Sequence, residues 1–237
     1  MIIYPKEWNK VGDEITVKDA DKALSKVIEG INCDCLAYSG GIDSTILLYH
    51  ILRVHGSVRA FTMGSSLDHP DVKYAQIGAD KLGVDHYVNI PSSQEITQIK
   101  REDDFDGDEA VRLFYEWASK YTDNIISGDG IDEFMCGYYP HQNNPTEETY
   151  IDYIRRMQCD QLEPLNKNSG VVKLYLPYLA NELIGLWVQI PLSQKVDNMN
   201  RKIFMCEWAR YLEIPEEIIT RRKFGFCSCL KEIEYAC

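Results

Sequence analysis

Paired glycines, hydroxyls and one carboxylate crowd the stretch Leu36–Thr45, "LAYSGGIDST". Gly40 and Gly41 let a backbone turn tightly and come close to another molecule. Ser39, Ser44 and Thr45 supply hydroxyls, Leu36 opens the stretch from an apolar run, and Asp43 stands at the mouth of the helix that follows. A helix N-terminus offers unpaired N–H groups to an anion, so the chemistry this composition suits is phosphate binding. A second stretch, "IISGDGIDEFMCGYY" from Ile125 to Tyr139, again leaves an apolar run for a glycine-rich loop. It carries Ser127, Gly128, Asp129, Asp132 and Glu133. Neither stretch is a Walker A loop, which needs a lysine after its glycines, nor a G-x-G-x-x-G dinucleotide fingerprint.

For two such loops to serve one ligand, the chain must carry both to one edge of a sheet. Helical spacing covers 19–29, an apolar strand 33–38, and "STILLYHILRVHG" reads as a helix ended by Gly56. Then "VRAFTMG" reads as strand, "HPDVKYAQIGADKLG" as helix, "DHYVNI" as strand, "DEAVRLFYEWASKYT" as helix and "NIIS" as strand. This alternation predicts right-handed crossovers and a doubly wound, mainly parallel α/β sheet with helices on both faces. Both loops then lie at strand carboxyl ends, where ligands bind, and Asp43 and Asp132 can meet on one metal. Beyond about residue 147 the spacing is helical, in "EETYIDYIRRMQCDQL", "LANELIGLWVQI", "NRKIFMCEWARYL" and "EEIITRRK". The expected division is a helical lead-in over 1–31, an α/β core over 32–146, and a helical part over 147–237 packed on the carboxyl edge of the sheet.

Composition narrows the classes of partner. A net charge of −12 over 237 residues repels polyanions, so no nucleic-acid partner is expected. No apolar run has the length of a membrane span, and a cytoplasmic location is the expectation. Of eight cysteines, Cys33, Cys35, Cys227 and Cys229 form C-x-C pairs that lack zinc-knuckle spacing, so neither metal nor disulfide is expected of them. The acidic run "REDDFDGDEA" does not match a calcium-binding loop and reads as a solvated loop leading into a helix. The five histidines are scattered and none is assigned to catalysis.

The S-G-G-x-D-S pattern between a strand and a helix resembles the PP-loop of the N-type ATP pyrophosphatases. The second stretch resembles the S-G-E-G-x-D-E-x-F-G-G-Y signature of the asparagine synthetase and β-lactam synthetase family, matching Ser127, Gly128, Gly130, Asp132, Glu133, Gly137 and Tyr138. The resemblance extends from about residue 32 to 226. It implies an AMP-forming carbon–nitrogen ligase that cleaves ATP between its α- and β-phosphates, adenylates a small-molecule carboxylate and transfers ammonia or an amine to it. ATP binding then falls to Leu36, Ser39, Gly40, Gly41, Asp43, Ser44, Thr45, Ser127 and Gly128, with Met63 beneath the adenine. A carboxylate beside a polyphosphate implies a Mg²⁺ between them, held by Asp43 and Asp132. "IPEEIITRRKFGF" resembles the segment delivering a catalytic lysine, here Lys223, and Asp129 is the candidate to deprotonate the amine. It stands where the family has a glutamate. "GVVKLYLPYL" resembles the substrate element G-x-E-x-R-x-P-F-L-D, but Val172, Leu174 and Ala180 replace its charged residues. Residue 2 is Ile, and about thirty residues precede the loop strand, so no glutaminase nucleophile of the family's N-terminal kind is expected. A separate glutaminase and a homo-oligomer stay open as partners. Two rival readings also stay open: a PP-loop enzyme acting on RNA or a nucleobase, and a non-catalytic ATP-binding protein.

Overall fold

The computed structural model describes residues 14–222 and 229–230. Five strands form one sheet: β1 (Cys35–Ala37), β2 (Arg59–Met63), β3 (Asp85–Asn89), β4 (Asn124–Ile126) and β5 (Lys173–Tyr175). Their order is β3-β2-β1-β4-β5 and every pairing is parallel. The doubly wound α/β expectation holds. Leu36 at the centre pairs with Ala60 on one side and Ile126 on the other. The winding therefore reverses between β1 and β4, which opens a crevice at their carboxyl ends.

Helix α1 (Val17–Glu29) begins in a capping box between Thr16 and Asp19, and its Ala20, Leu24 and Ile28 are buried. Helix α2 (Ile42–His55) follows β1 and stops at Gly56, whose left-handed backbone sends its N–H to the Leu52 carbonyl. Helix α3 (Pro70–Leu82) starts with proline in its first turn, where the missing N–H costs nothing. Two helices, α4 (Ser93–Ile99) and α5 (Asp108–Ala118), separate β3 from β4. Short α6 (Ile131–Phe134) and α7 (Tyr139–Asn143) lead into α8 (Glu147–Met157), a π turn over Gln158–Leu162 and α9 (Glu163–Asn168). After β5 come α10 (Asn181–Trp187), α11 (Ile203–Tyr211) and α12 (Glu216–Thr220). Among the described residues no helix is long and apolar enough to cross a membrane.

Three features depart from the sequence expectation. The edge strand β5 lies in a region read as helical, and three residues are too few to show a strand's alternation. Helix α10 packs against α1, and α11 packs against both α1 and α2. The reason is apolar: Trp187 and Trp208 meet with tilted rings 6.1 Å apart in the same core as Leu24, Ile28 and Ile51. Burying each such side chain is worth roughly 2–3 kcal/mol, more than an edge contact supplies. Finally, the acidic run is not wholly solvated, because Asp104 is buried against Arg112, which also donates to Asn168 Oδ1 at 2.6 Å.

His50 of α2 is fully buried between α1 and α11. Its Nδ1 lies 3.1 Å from Ser25 Oγ, its Nε2 3.3 Å from Asp21, and its ring meets the edge of Trp208 at 5.5 Å. Burial first, and then the Arg53 charge, push its pKa down to about 3, against a smaller opposing pull from Asp21. The unfolded chain therefore takes up a proton below about pH 6.5 that the folded chain refuses. Stability is full above that value and falls from there toward pH 3. In urea titrations His50→Gln should flatten this acid loss by up to about 1.4 kcal/mol per pH unit. An unchanged slope would mean that the imidazole is not held neutral.

Candidate active site

The loop between β1 and α2 is closed by its own hydroxyls. Ser44 Oγ and Thr45 Oγ1 donate to the Gly41 carbonyl at 3.1 and 2.8 Å, and Gly41 N–H donates to Ser39 Oγ at 3.3 Å. Gly41 caps α2 without any side-chain cap, which leaves the helix N-terminus as an anion seat. Gly40 sits at φ +65°, and a Cβ there would lie 2.1 Å from the Ala75 nitrogen, so α3 packs directly on the loop. Thr45 departs from its expected role. Its side chain is buried and also meets Tyr38 Oη at 3.2 Å, so its hydroxyl braces the turn instead of facing a ligand. Leu36 and Met63 are likewise core residues, at 0% and 1% exposure, leaving only their backbones to a ligand.

The second loop follows β4 and lies beside the first. Ser127 N–H donates to the Tyr175 carbonyl at 2.9 Å, and Ser127 Oγ donates to Asp129. A Cβ on Gly128 would stand 3.8 Å from the Asp43 Cβ, which measures how closely the loops approach. Tyr138 donates to buried Glu133 at 2.7 Å and stacks on Tyr153 at 5.1 Å. Burial, then the nearby Asp132 and Glu133 charges, drive its phenol pKa well up, so Tyr138 is a packing and donor group and not a base.

Asp43, in the first turn of α2, and Asp132, in the first turn of α6, are brought together. Between them lies the ammonium of Lys202, which pairs with Asp43 and stands 2.6 Å from Asp132 Oδ1. Its side chain is 8% exposed, against 18% and 22% for the aspartates, so the acids face the crevice and the lysine backs them. Burial pulls the Lys202 pKa down; Asp132 and then Asp43 more than offset this and hold it well above the ordinary lysine value. Room for the trio comes from Gly137, where a Cβ would fall 1.7 Å from Asp132 Oδ1 and 2.5 Å from Lys202 Cε. Among the described residues no three His, Cys, Asp or Glu side chains gather as a self-sufficient metal site. Two carboxylates nevertheless suit Mg²⁺, which takes one or two from protein and the remainder from water and substrate phosphates.

Sequence reasoning passed over Lys202, although one signal was present: a cation at a helix start opposes the helix dipole. Arg221 belongs to the basic run Arg221, Arg222 and Lys223, which reads as a patch able to serve a small phosphate, but its own side chain is turned inward. Its side chain is 5% exposed, donates to the Ser39 carbonyl at 2.8 Å, pairs with buried Asp71 and lies 4.9 Å from the Tyr74 ring centre. It thus ties the end of α12 to the first loop and to α3. Lys223, two residues on, lies outside the described residues.

A doubly wound sheet whose two glycine-rich loops set acids around a crevice at the strand ends is the frame of a nucleotide-using enzyme. The asparagine synthase family model matches residues 35–173 and 147–235, and the chain belongs to that family of ATP-dependent, amide-forming ligases. Among solved structures, NMN synthetase from Francisella tularensis shares the fold, with a TM-score of 0.50 at 14% identity over 90% of this chain and 78% of that one. No curated protein matches the chain.

The two loop glycines should respond differently to substitution. Gly137→Ala should cost about 1–3 kcal/mol in chemical denaturation, because the methyl group collides with the Asp132–Lys202 pair. Gly128→Ala meets only ordinary contacts, 3.6 Å and beyond, and should leave stability within about 0.5 kcal/mol. Equal losses in both variants would show that the pair does not occupy the space beside Gly137.

Proposed function

We propose that the protein is an AMP-forming ligase that activates a small-molecule carboxylate with ATP and passes the acyl group to ammonia or an amine. The observation that carries this reading is the meeting of Asp43 and Asp132 around one buried ammonium, beside the uncapped N-terminus of α2. That arrangement offers a triphosphate helix N–H groups on one side and an acidic metal seat on the other. Mg²⁺, when bound, would neutralise phosphate charge as pyrophosphate leaves.

The residues of the chain take the following parts. Backbone N–H groups at the start of α2 would orient the departing phosphates. Asp43 and Asp132 would hold the metal, and the Lys202 ammonium between them would meet charge growing on the phosphates. Asp129 is the group proposed to take a proton from the amine. It is held by Ser127 Oγ, and the Asp129 charge is felt at Tyr115 and Tyr138. Lys223 is proposed to stabilise both transition states as a compact charge on a long stem. Val172, Leu174 and Ala180 stand at positions charged in the family element, which favours an acid less polar than aspartate.

Incubation with ATP, Mg²⁺, ammonium and a panel of carboxylates should release pyrophosphate and AMP in equal amounts. Asp43→Asn and Asp132→Asn should each lower that rate by about 10²–10³-fold, the usual scale for loss of one transition-state stabiliser. ADP as the nucleotide product, or ATP binding in calorimetry with no pyrophosphate from any acid, would overturn the assignment.

A further inference from the structure

The cation between the two acids is built in, not incidental. Lys202 has φ +55°, a left-handed backbone that costs a non-glycine residue about 1 kcal/mol or more. Both neighbours hold it there. Arg201 donates to the Gly137 carbonyl at 2.6 Å and lies 3.8 Å over the Tyr139 ring, while Ile203 N–H donates to the Lys195 carbonyl at 3.0 Å. A short bridge between Val196 and Arg201 closes the turn from the other side. The side chain then runs past Gly137, with no room for a Cβ, and ends between Asp43 and Asp132. Such a posture is maintained only where the surroundings over-determine it.

This geometry has an electrostatic consequence. Two aspartates and one ammonium leave a net charge of −1 where the aspartates alone would present −2. A divalent ion approaching the carboxylates by itself also meets the lysine charge at contact distance. A nucleotide changes this balance, because its phosphates give the ammonium anionic partners on the crevice side.

Resting on the reading of Asp43 and Asp132 as the metal seat, we propose that Lys202 is its resident counter-ion, excluding free divalent cations and admitting one only together with nucleotide phosphates. The metal then enters as its nucleotide complex, and Lys202 trades carboxylate contacts for phosphate contacts as it arrives. The residue is a binding-order device in addition to a charge near the phosphates.

The probe is Mn²⁺, and the readout is water-proton relaxation enhancement, which reports protein-bound ion without turnover. The unaltered chain should take up little Mn²⁺ alone and take it up readily with an ATP analogue carrying a methylene between its α- and β-phosphates. Lys202→Met and Lys202→Gln should bind Mn²⁺ without nucleotide about tenfold or more tightly than the unaltered chain, the equivalent of removing one nearby like charge. Mn²⁺ alone should also raise their melting temperatures while leaving that of the unaltered chain unmoved. Equal Mn²⁺ affinity with and without the lysine overturns the proposal. If neither variant folds, the unaltered chain decides: uptake of Mn²⁺ without nucleotide overturns it, and uptake only with the analogue supports it. Turnover to AMP without this metal behaviour would sink the counter-ion and spare the ligase; metal exclusion with ADP as product would do the opposite.

Discussion

Like charges about 5 Å apart in partly buried surroundings repel by roughly 3 kcal/mol, and a chain that sets two carboxylates at the mouths of neighbouring strands must answer that repulsion. Here the answer is an ammonium delivered from the far end of the sequence. Once Lys202 lies between Asp43 and Asp132, the two loops are tied to each other and to the first turn of α11. Removing one member of a buried group of this kind leaves the others uncompensated, at a typical cost of about 3–5 kcal/mol. The packing around the trio follows from the need to hold it, including the bare Cα of Gly137 and the pinned left-handed turn at residue 202.

A second buried pair does for the first loop what the trio does for the crevice. Arg221 and Asp71 are each about 5% exposed or less, and Arg221 also caps the Ser39 carbonyl. Desolvation raises the Asp71 pKa, with Arg221 opposing it, so the pair orders the loop without adding much net stability. Its contribution is geometric. The glycine loop, the start of α3 and the end of α12 are fixed to one point, as a site that must receive several phosphates at once requires.

Four of the five strands and both loops were legible because their signals are local; β5 was not. Apolar runs of strand length, glycines directly after them and helical spacing beyond are all readable within a dozen residues. The closing groups were not legible, because nothing near "NRK" or "TRRK" tells a buried charge from a solvated one. Position 202 showed only a cation at the wrong end of a helix, and position 221 only a place in a basic run, with no sign of its buried partner. Thr45 misled for the opposite reason: a hydroxyl in a phosphate-like loop is equally suited to bracing the loop, and burial decided which. Helix α4, ahead of α5, carries a capping box at Ser92 and Glu95, but seven residues that pack only the half-buried Ile96 and Ile99 on the core leave no long amphipathic stripe to notice.

The sequence distance between the paired groups bears on how the protein is made. Lys202 follows Asp43 by 159 positions, and at ribosomal speeds that interval lasts on the order of ten seconds to half a minute. From residue 132 onward the nascent chain carries both acidic loops without the group that reconciles them, and for part of that time the sheet also lacks its β5 edge at Lys173–Tyr175. Completion of the crevice is therefore a late event in biogenesis, and a messenger truncated before codon 202 would encode a chain whose nucleotide loops stay at odds with each other.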